Sequence, residues 1–242
     1  MDAAEMAGKL TGWLQEQLEA RGAKGFVVGL SGGVDSAVTA ALCKRACPQD
    51  TLGVIMPCHS NPQDALDARE VAEALGLSVV EVNLDQPFEL MVEKLTGKPY
   101  RPGENDLAVA NIKPRLRMIT LYFFAARNRY LVAGTGNRSE LAVGYYTKYG
   151  DGGVDLLPIG NLVKSQVWEL AAHLGIPRRV IEKPPSAGLW AGQCDEEEMG
   201  VTYRELDEYL LNGKGSARVK EVVERLAAAN AHKSEPPARP PF

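Results

Sequence analysis

The sequence lacks the features that mark several large classes of protein. Its four cysteines (Cys43, Cys47, Cys58 and Cys194) include no CxxC pair. They are too sparse for a disulfide framework, and a reducing cytoplasm is the expected compartment. Long apolar runs are absent: the longest, Leu121 to Ala126, falls far short of the roughly 20 residues that cross a bilayer. The opening MDAAEMAGKL has neither the basic region nor the apolar stretch of a secretory leader. Positive charge is not in excess, since 27 Lys and Arg face 31 acids for a net charge of −4. No nucleic acid and no membrane is therefore expected as a partner, although a local phosphate site is compatible. The three histidines, His59, His173 and His232, have no metal-ligand spacing. What is present is ordinary: 242 residues, 45% apolar and 24% charged, enough for one α/β unit with its own core.

The order of elements points to such a unit. Leu10, Leu14 and Leu18 share one face of an opening helix, with Trp13 beside them. GFVVGL, Gly25 to Leu30, reads as a buried strand, and AVTAALCKRAC as a helix. Thr51 to Pro57 is a second strand, Asp64 to Leu75 a helix closed by Gly76, LSVVEVN a third strand, and Gln86 to Leu95 another helix. A long helix is expected from Asn111 to Asn128 and a fourth strand from Tyr130 to Thr135. The glycine-rich stretch from Val143 to Pro158 reads as a mobile loop. A helix over Asn161 to Leu174, an irregular region from Lys183 to Gly200, and helices over Tyr203–Leu211 and Ala217–Ala231 complete the chain. Alternating strands and helices imply an α/β fold: an open, mostly parallel sheet with helices on both faces. Residues 1–242 are expected as one domain, with a flexible tail from about 234 to 242 unless Phe242 docks.

GLSGGVDSAVTA, Gly29 to Ala40, is the most informative segment because it lies between a strand and a helix. Gly32 and Gly33 permit backbone angles and close approach that other residues resist. Their amides, the Ser31 and Ser36 hydroxyls and the following helix N-terminus can surround phosphate oxygens. Asp35 would repel phosphate alone, but a carboxylate there can hold Mg2+ bridging the phosphates. An isolated SGG would be read as a plain glycine turn with a capping aspartate. The spacing is neither GxGxxG nor GxxxxGK[ST], which excludes the dinucleotide and Walker A readings. SGGVDS resembles the SGGxDS loop of the N-type ATP pyrophosphatases, the PP-loop superfamily. That resemblance implies adenylate formation with release of pyrophosphate and leaves the acceptor open.

A second constellation follows Leu131. Thr135 ends a predicted parallel strand, the edge where open α/β sheets place ligands. Glu140 can begin a helix facing the same crevice, either as a metal ligand with Asp35 or as a plain first-turn acid. Thr147, Lys148, Asp151 and Asp155 lie in the glycine-rich loop; Lys148 can neutralise an anionic ligand, and Lys164 can bind phosphate or snorkel.

This block, GTGNRSELAVGYYTKYGDGGVD with NIKPRLRM at Asn111–Met118, resembles the ammonia-dependent NAD+ synthetase family, and the resemblance runs from about Lys24 to Lys233. It implies an adenine-nucleotide alpha-hydrolase-like fold and amidation of deamido-NAD+ by ammonia, with ATP as cosubstrate and Mg2+ as cofactor. By the same resemblance Gly29, Leu30, Ser31, Gly32, Gly33, Val34, Asp35 and Ser36 hold ATP, joined by Thr135, Lys164 and Ser186. Asp35 and Glu140 match magnesium ligands. Arg115, Lys148, Asp155, His232 and Lys233 match contacts to deamido-NAD+, and Asp151 matches an aspartate that binds or deprotonates ammonia. The sequence departs from the family's common GTDHAAE, having Gly136, Asn137, Arg138 and Ser139 in the variable stretch. Pro114 stands where alanine is common, and Ser186 where threonine is.

The resemblance also implies a homodimer. Tyr122, Phe123 and Phe124 suit an interface helix and an interior helix equally. Nearly the whole length is absorbed by the synthetase resemblance, so free ammonia, or ammonia from an unseen partner, is the expected nitrogen source. No covalent protein nucleophile is needed, and the cysteines are read as structural or incidental. The competing readings are another amidating or thiolating PP-loop enzyme and a non-catalytic ATP-binding regulatory protein. Asp35→Ala is expected to stop pyrophosphate release while leaving the fold largely intact.

Overall fold

The computed structural model describes residues 1–103, 106–190 and 192–241. Phe242, whose docking the sequence left open, lies outside the described residues. The elements run α1 (Ala3–Arg21), β1 (Gly25–Leu30), α2 (Val34–Ala46), β2 (Thr51–Ile55), α3 (Pro62–Ala74), β3 (Ser78–Glu81), α4 (Asp85–Thr96), α5 (Leu107–Ala110), α6 (Ile112–Asn128) and β4 (Tyr130–Val132). They continue through α7 (Arg138–Val143), α8 (Lys164–His173), α9 (Arg178–Ile181), α10 (Asp195–Met199), α11 (Tyr203–Asn212) and α12 (Ala217–Asn230), with a 3-10 turn over Ala231–Lys233.

The four strands form one parallel sheet in the order β3-β2-β1-β4. Successive strand residues point to opposite faces, so a central strand must be apolar on both. In β1, Phe26, Val28 and Leu30 pack with Leu14 of α1, Ala37 and Leu42 of α2 and Leu170 of α8. Val27 joins Val54, Val132, Phe88 of α4 and Ala125 of α6 on the other face. Helices therefore cover both faces, as the element order implied. A third cluster, built from Val143, Tyr203, Leu206, Val219 and Val223, unites α7, α11 and α12.

Four expectations change. The long helix is two, α5 and α6, divided at Asn111; Pro114 falls in the first turn of α6, where its missing N–H costs least. The last strand ends at Val132, and Ala133 makes only an isolated bridge to Leu156. The glycine-rich loop is a run of turns tied into the fold. Gly150 N–H donates to Thr147 O at 2.9 Å, Gly153 N–H to Gly150 O at 3.0 Å, and the buried Thr147 hydroxyl to Asn111 Oδ1 at 2.7 Å. The region from Lys183 to Gly200, read as irregular, contains α10, whose first turn is wholly acidic and so opposes the positive end of the helix dipole.

Candidate active site

The segments following β1 and β4, together with the N-termini of α2, α7 and α8, meet at the carboxyl edge of the sheet. The phosphate loop is the first of them. Gly33 caps α2 without a side-chain hydrogen bond, which leaves the first-turn amides for a ligand. Ser31 and Ser36 brace the loop: Ser36 Oγ accepts from Ser31 N–H at 3.2 Å and donates to Gly33 O at 2.9 Å, and the two hydroxyls lie 3.1 Å apart. The side chains of Leu30 and Val34 belong to the core, so only their backbone serves the loop. Beneath it, Lys183 Nζ reaches Asp64 Oδ1 at 2.6 Å and Asp67 Oδ2 at 2.8 Å.

Gly32 has a φ of +78°, and a Cβ there would stand 2.3 Å from Asp64 O. Gly32→Ala should cost about 1–3 kcal/mol through backbone strain and steric displacement. Thermal unfolding with and without ATP checks this, and unchanged stability with unchanged ATP binding would refute the packing argument.

Asp35, in the first turn of α2, and Glu140, in the first turn of α7, come together from 105 positions apart in sequence. Between them lies the Lys164 ammonium, hydrogen-bonded to Asp35 Oδ2 and 3.7 Å from Glu140 Oε1. Lys164 is only 2% exposed, and the two carboxylates 17% and 16%. Burial, reinforced by Asp35, pushes the Glu140 carboxyl up to about 8 against the opposing pull of Lys164. Burial alone would depress Lys164, but the two carboxylates outweigh it and hold the ammonium above its usual range. Lys164 Nζ also lies 4.8 Å from the centre of the Tyr203 ring.

This donor set fits Mg2+. Two carboxylates on separate elements face one cationic position beside a phosphate loop, and Mg2+ is commonly held by one or two carboxylates together with substrate phosphates. Among the described residues no group of three or more His, Cys, Asp or Glu is arranged as a complete metal cage.

Thr135, Glu140, Tyr146, Asp151 and Lys233 line a neighbouring cavity of about 290 Å³. Asp151 keeps an exposed edge, yet surrounding protein desolvates its carboxylate and raises it, against the hydrogen bond from Thr147 N–H at 2.9 Å. Burial lowers Lys233, whose Nζ donates to Gly144 O at 2.7 Å and Tyr146 O at 2.8 Å. Arg115, Lys148 and His232 form a separate surface chain: Arg115 Nη2 donates to Lys148 O at 3.4 Å, and Lys148 Nζ to His232 O. Asp155 accepts from Tyr122 OH at 3.0 Å and Val132 N–H at 2.8 Å, and lines an adjoining groove with Trp13 and Arg21. Ser186 is exposed and accepts from Gly188 N–H at 3.2 Å; no hydrogen bond among the described residues joins it to the phosphate loop.

Several residues that support the site carry no mark in the sequence motifs. Asp207 of α11 accepts from Ser139 Oγ at 2.6 Å and from Ser165 N–H at 2.7 Å, so it caps α8 from 42 residues away and anchors Lys164. The single Tyr203 hydroxyl lies 3.1 Å from Asp195 Oδ2 and 3.3 Å from Glu140 Oε1, sharing its one proton between them. Asn137 holds Asp35 and Glu140 together; its three-residue spacing from Glu140 is a capping signature that was visible in the sequence.

A parallel α/β sheet with a phosphate loop after its first strand and a carboxylate pair at its carboxyl edge defines a PP-loop nucleotide-binding protein. A profile of the NAD synthase family matches residues 6–237. The chain belongs to that family. It is 56% identical over 237 residues to the NH(3)-dependent NAD(+) synthetase of Carboxydothermus hydrogenoformans, covering 98% of this chain and 97% of that one. Among solved structures it resembles NMN synthetase from Francisella tularensis, with 37% identity, a TM-score of 0.94 and full coverage of both chains. It also resembles the NH3-dependent NAD synthetase of Campylobacter jejuni subsp. jejuni NCTC 11168, with 30% identity, a TM-score of 0.79 and 99% coverage of each chain.

Proposed function

We propose that the chain amidates deamido-NAD+ with ammonia at the expense of ATP, through an adenylated intermediate. The observation that carries this reading is the meeting of Asp35, Glu140 and Lys164 between the phosphate loop and the Asp151 cavity. The nicotinate carboxylate oxygen bonds to the α-phosphorus of ATP, and the bond to the β-phosphate oxygen breaks to release pyrophosphate. Nitrogen then bonds to the activated carbonyl carbon, AMP leaves with the electron pair, and the nitrogen loses a proton. Asp35 and Glu140 would hold Mg2+, which would supply charge neutralisation on the phosphates. The amides of residues 29–36 bind and orient the triphosphate, with Thr135 and Ser186 as further ATP contacts. Lys164, whose ammonium lies between the two carboxylates, would serve as a further phosphate contact.

Asp151, raised by its surroundings, accepts the ammonia proton. Arg115, Lys148, Asp155, His232 and Lys233 bind the dinucleotide. The cavity walls exclude water from the activated carbonyl.

The single catalytic domain spans residues 1–242. Ile119 and Phe123, 59% and 56% exposed at i, i+4 on α6, form the face of a homodimer. Tyr122 and Phe124 pack inward, so the aromatic cluster divides between the two roles. Molar mass in solution tests the dimer. No helix among the described residues is long and apolar enough to cross a membrane, and we place the enzyme in the cytoplasm, without nucleic-acid partners.

One observation favours a second reading: the TM-score to an NMN synthetase exceeds that to the NAD synthetase of Campylobacter jejuni. The mononucleotide acid would use the same chemistry with a shorter substrate. Purified protein given MgATP, ammonium and either deamido-NAD+ or nicotinic acid mononucleotide should release pyrophosphate and form NAD+ faster than NMN. Preference for the mononucleotide selects the second reading. Folded protein that binds MgATP and forms neither amide refutes both.

A further inference from the structure

Asn137 caps α7 and has no accessible surface. Capping requires only an acceptor, and its Oδ1 fills that role toward Glu140 N–H at 3.0 Å. The rest of its bonding is not needed for a cap. Its Nδ2 donates to Asp35 Oδ1 at 2.9 Å, across 102 residues of sequence. Its backbone N–H donates to Glu140 Oε2 at 3.1 Å. One oxygen of each carboxylate is therefore engaged by the same residue. The other two, Asp35 Oδ2 and Glu140 Oε1, are the oxygens that face Lys164 Nζ, with Oε1 also 3.3 Å from the Tyr203 hydroxyl. A carboxylate that is free to rotate about its terminal bond has no fixed donor direction; here both are held with the inner oxygens directed to one cationic position.

We propose that Asn137 is a positioning residue that aims Asp35 and Glu140 at a shared divalent cation, and that its amide nitrogen is the essential group. This rests on the reading above that the two carboxylates hold Mg2+. Serine and aspartate cap helices as well as asparagine does, but neither donates to Asp35 as the amide does, and aspartate adds a third negative charge. Asn137→Ser and Asn137→Asp thus keep the cap and remove the donor. The affinity of α,β-methylene-ATP is measured by calorimetry with and without Mg2+ for the wild type and both variants, on protein whose circular dichroism matches the native spectrum.

Wild-type affinity should rise with Mg2+. In Asn137→Ser that rise should shrink about tenfold or more, the loss expected for a hydrogen bond to a charged group, while metal-free affinity stays within about twofold. In Asn137→Asp the added charge should also lower metal-free affinity. Metal-free affinity of Asn137→Ser falling in parallel would mean a merely structural role and overturn the proposal. A full Mg2+ response in either folded variant would overturn it while leaving the carboxylate reading intact. Absence of any Mg2+ effect in the wild type overturns both.

Discussion

Asp35→Ala should abolish pyrophosphate release, lowering turnover by about 10³-fold or more, since it removes charge compensation where the phosphates react. The structure adds a second effect that the motif does not carry. Lys164 is 2% exposed, and Asp35 is its hydrogen-bonded partner. Losing one member of a buried pair strands the other charge, at a cost of about 3–5 kcal/mol. Glu140, at 3.7 Å, remains as partial compensation, so the lower figure applies. A loss of about 3 kcal/mol corresponds to roughly 6–12 °C in Tm for a domain of this size. The expectation from sequence that the fold is left largely intact is therefore revised. Adding Lys164→Met should restore most of the lost stability without restoring activity, because no charge then remains buried unpaired. Thermal unfolding of the wild type, the single variant and the double variant separates the two effects. A single variant as stable as the wild type would show that Asp35 does not hold the Lys164 ammonium in solution.

Whatever depends on local pattern was legible in the sequence. GFVVGL and TLGVI are apolar on both faces because the central strands of a covered parallel sheet must be. The phosphate loop was legible because its glycines, hydroxyls and aspartate are contiguous. Asp35 and Glu140 were offered as a pair from their expected place at the carboxyl edge of the sheet, with a plain first-turn acid as the alternative for Glu140. The family resemblance strengthened the pairing, and the structure brings them together through β1, β4 and the helices that follow.

What escaped is tertiary. Asp207 caps α8 from α11, and no window of sequence joins Asp207 to Lys164. Tyr203 reaches Glu140, and Asp195 reaches Tyr203, for the same reason. The glycine-rich loop was misjudged because glycine signals backbone freedom. Hydrogen bonds from Thr147 to Asp151 and Asn111 remove that freedom in the fold. Asn137 is the exception, since its Asn-x-x-Glu spacing is local and only its reach to Asp35 is not.

The Glu140 environment makes the site a competition between a proton and a divalent cation. Burial and the nearby Asp35 hold the Glu140 carboxyl at about 8, well above its unfolded value of 4.5. A raised carboxyl stabilises the ligand-free fold when protonated. That stabilisation is complete in acid and is lost as pH rises from about 4.5 through 8. Lys164 is held above its ordinary range and stays charged throughout this window. Cation binding has the opposite preference, because the ligand must be ionised. MgATP affinity should therefore climb about tenfold per pH unit from 6 toward 8 and then level off. Near pH 7, binding should expel about one proton from Glu140, and at pH 9 almost none. Calorimetry in buffers of different ionisation enthalpy counts those protons directly. Glu140→Gln, which cannot titrate, should bind MgATP weakly and lose the pH dependence. Equal proton release at pH 7 and 9, or an unchanged slope in Glu140→Gln, would remove Glu140 from the cation site.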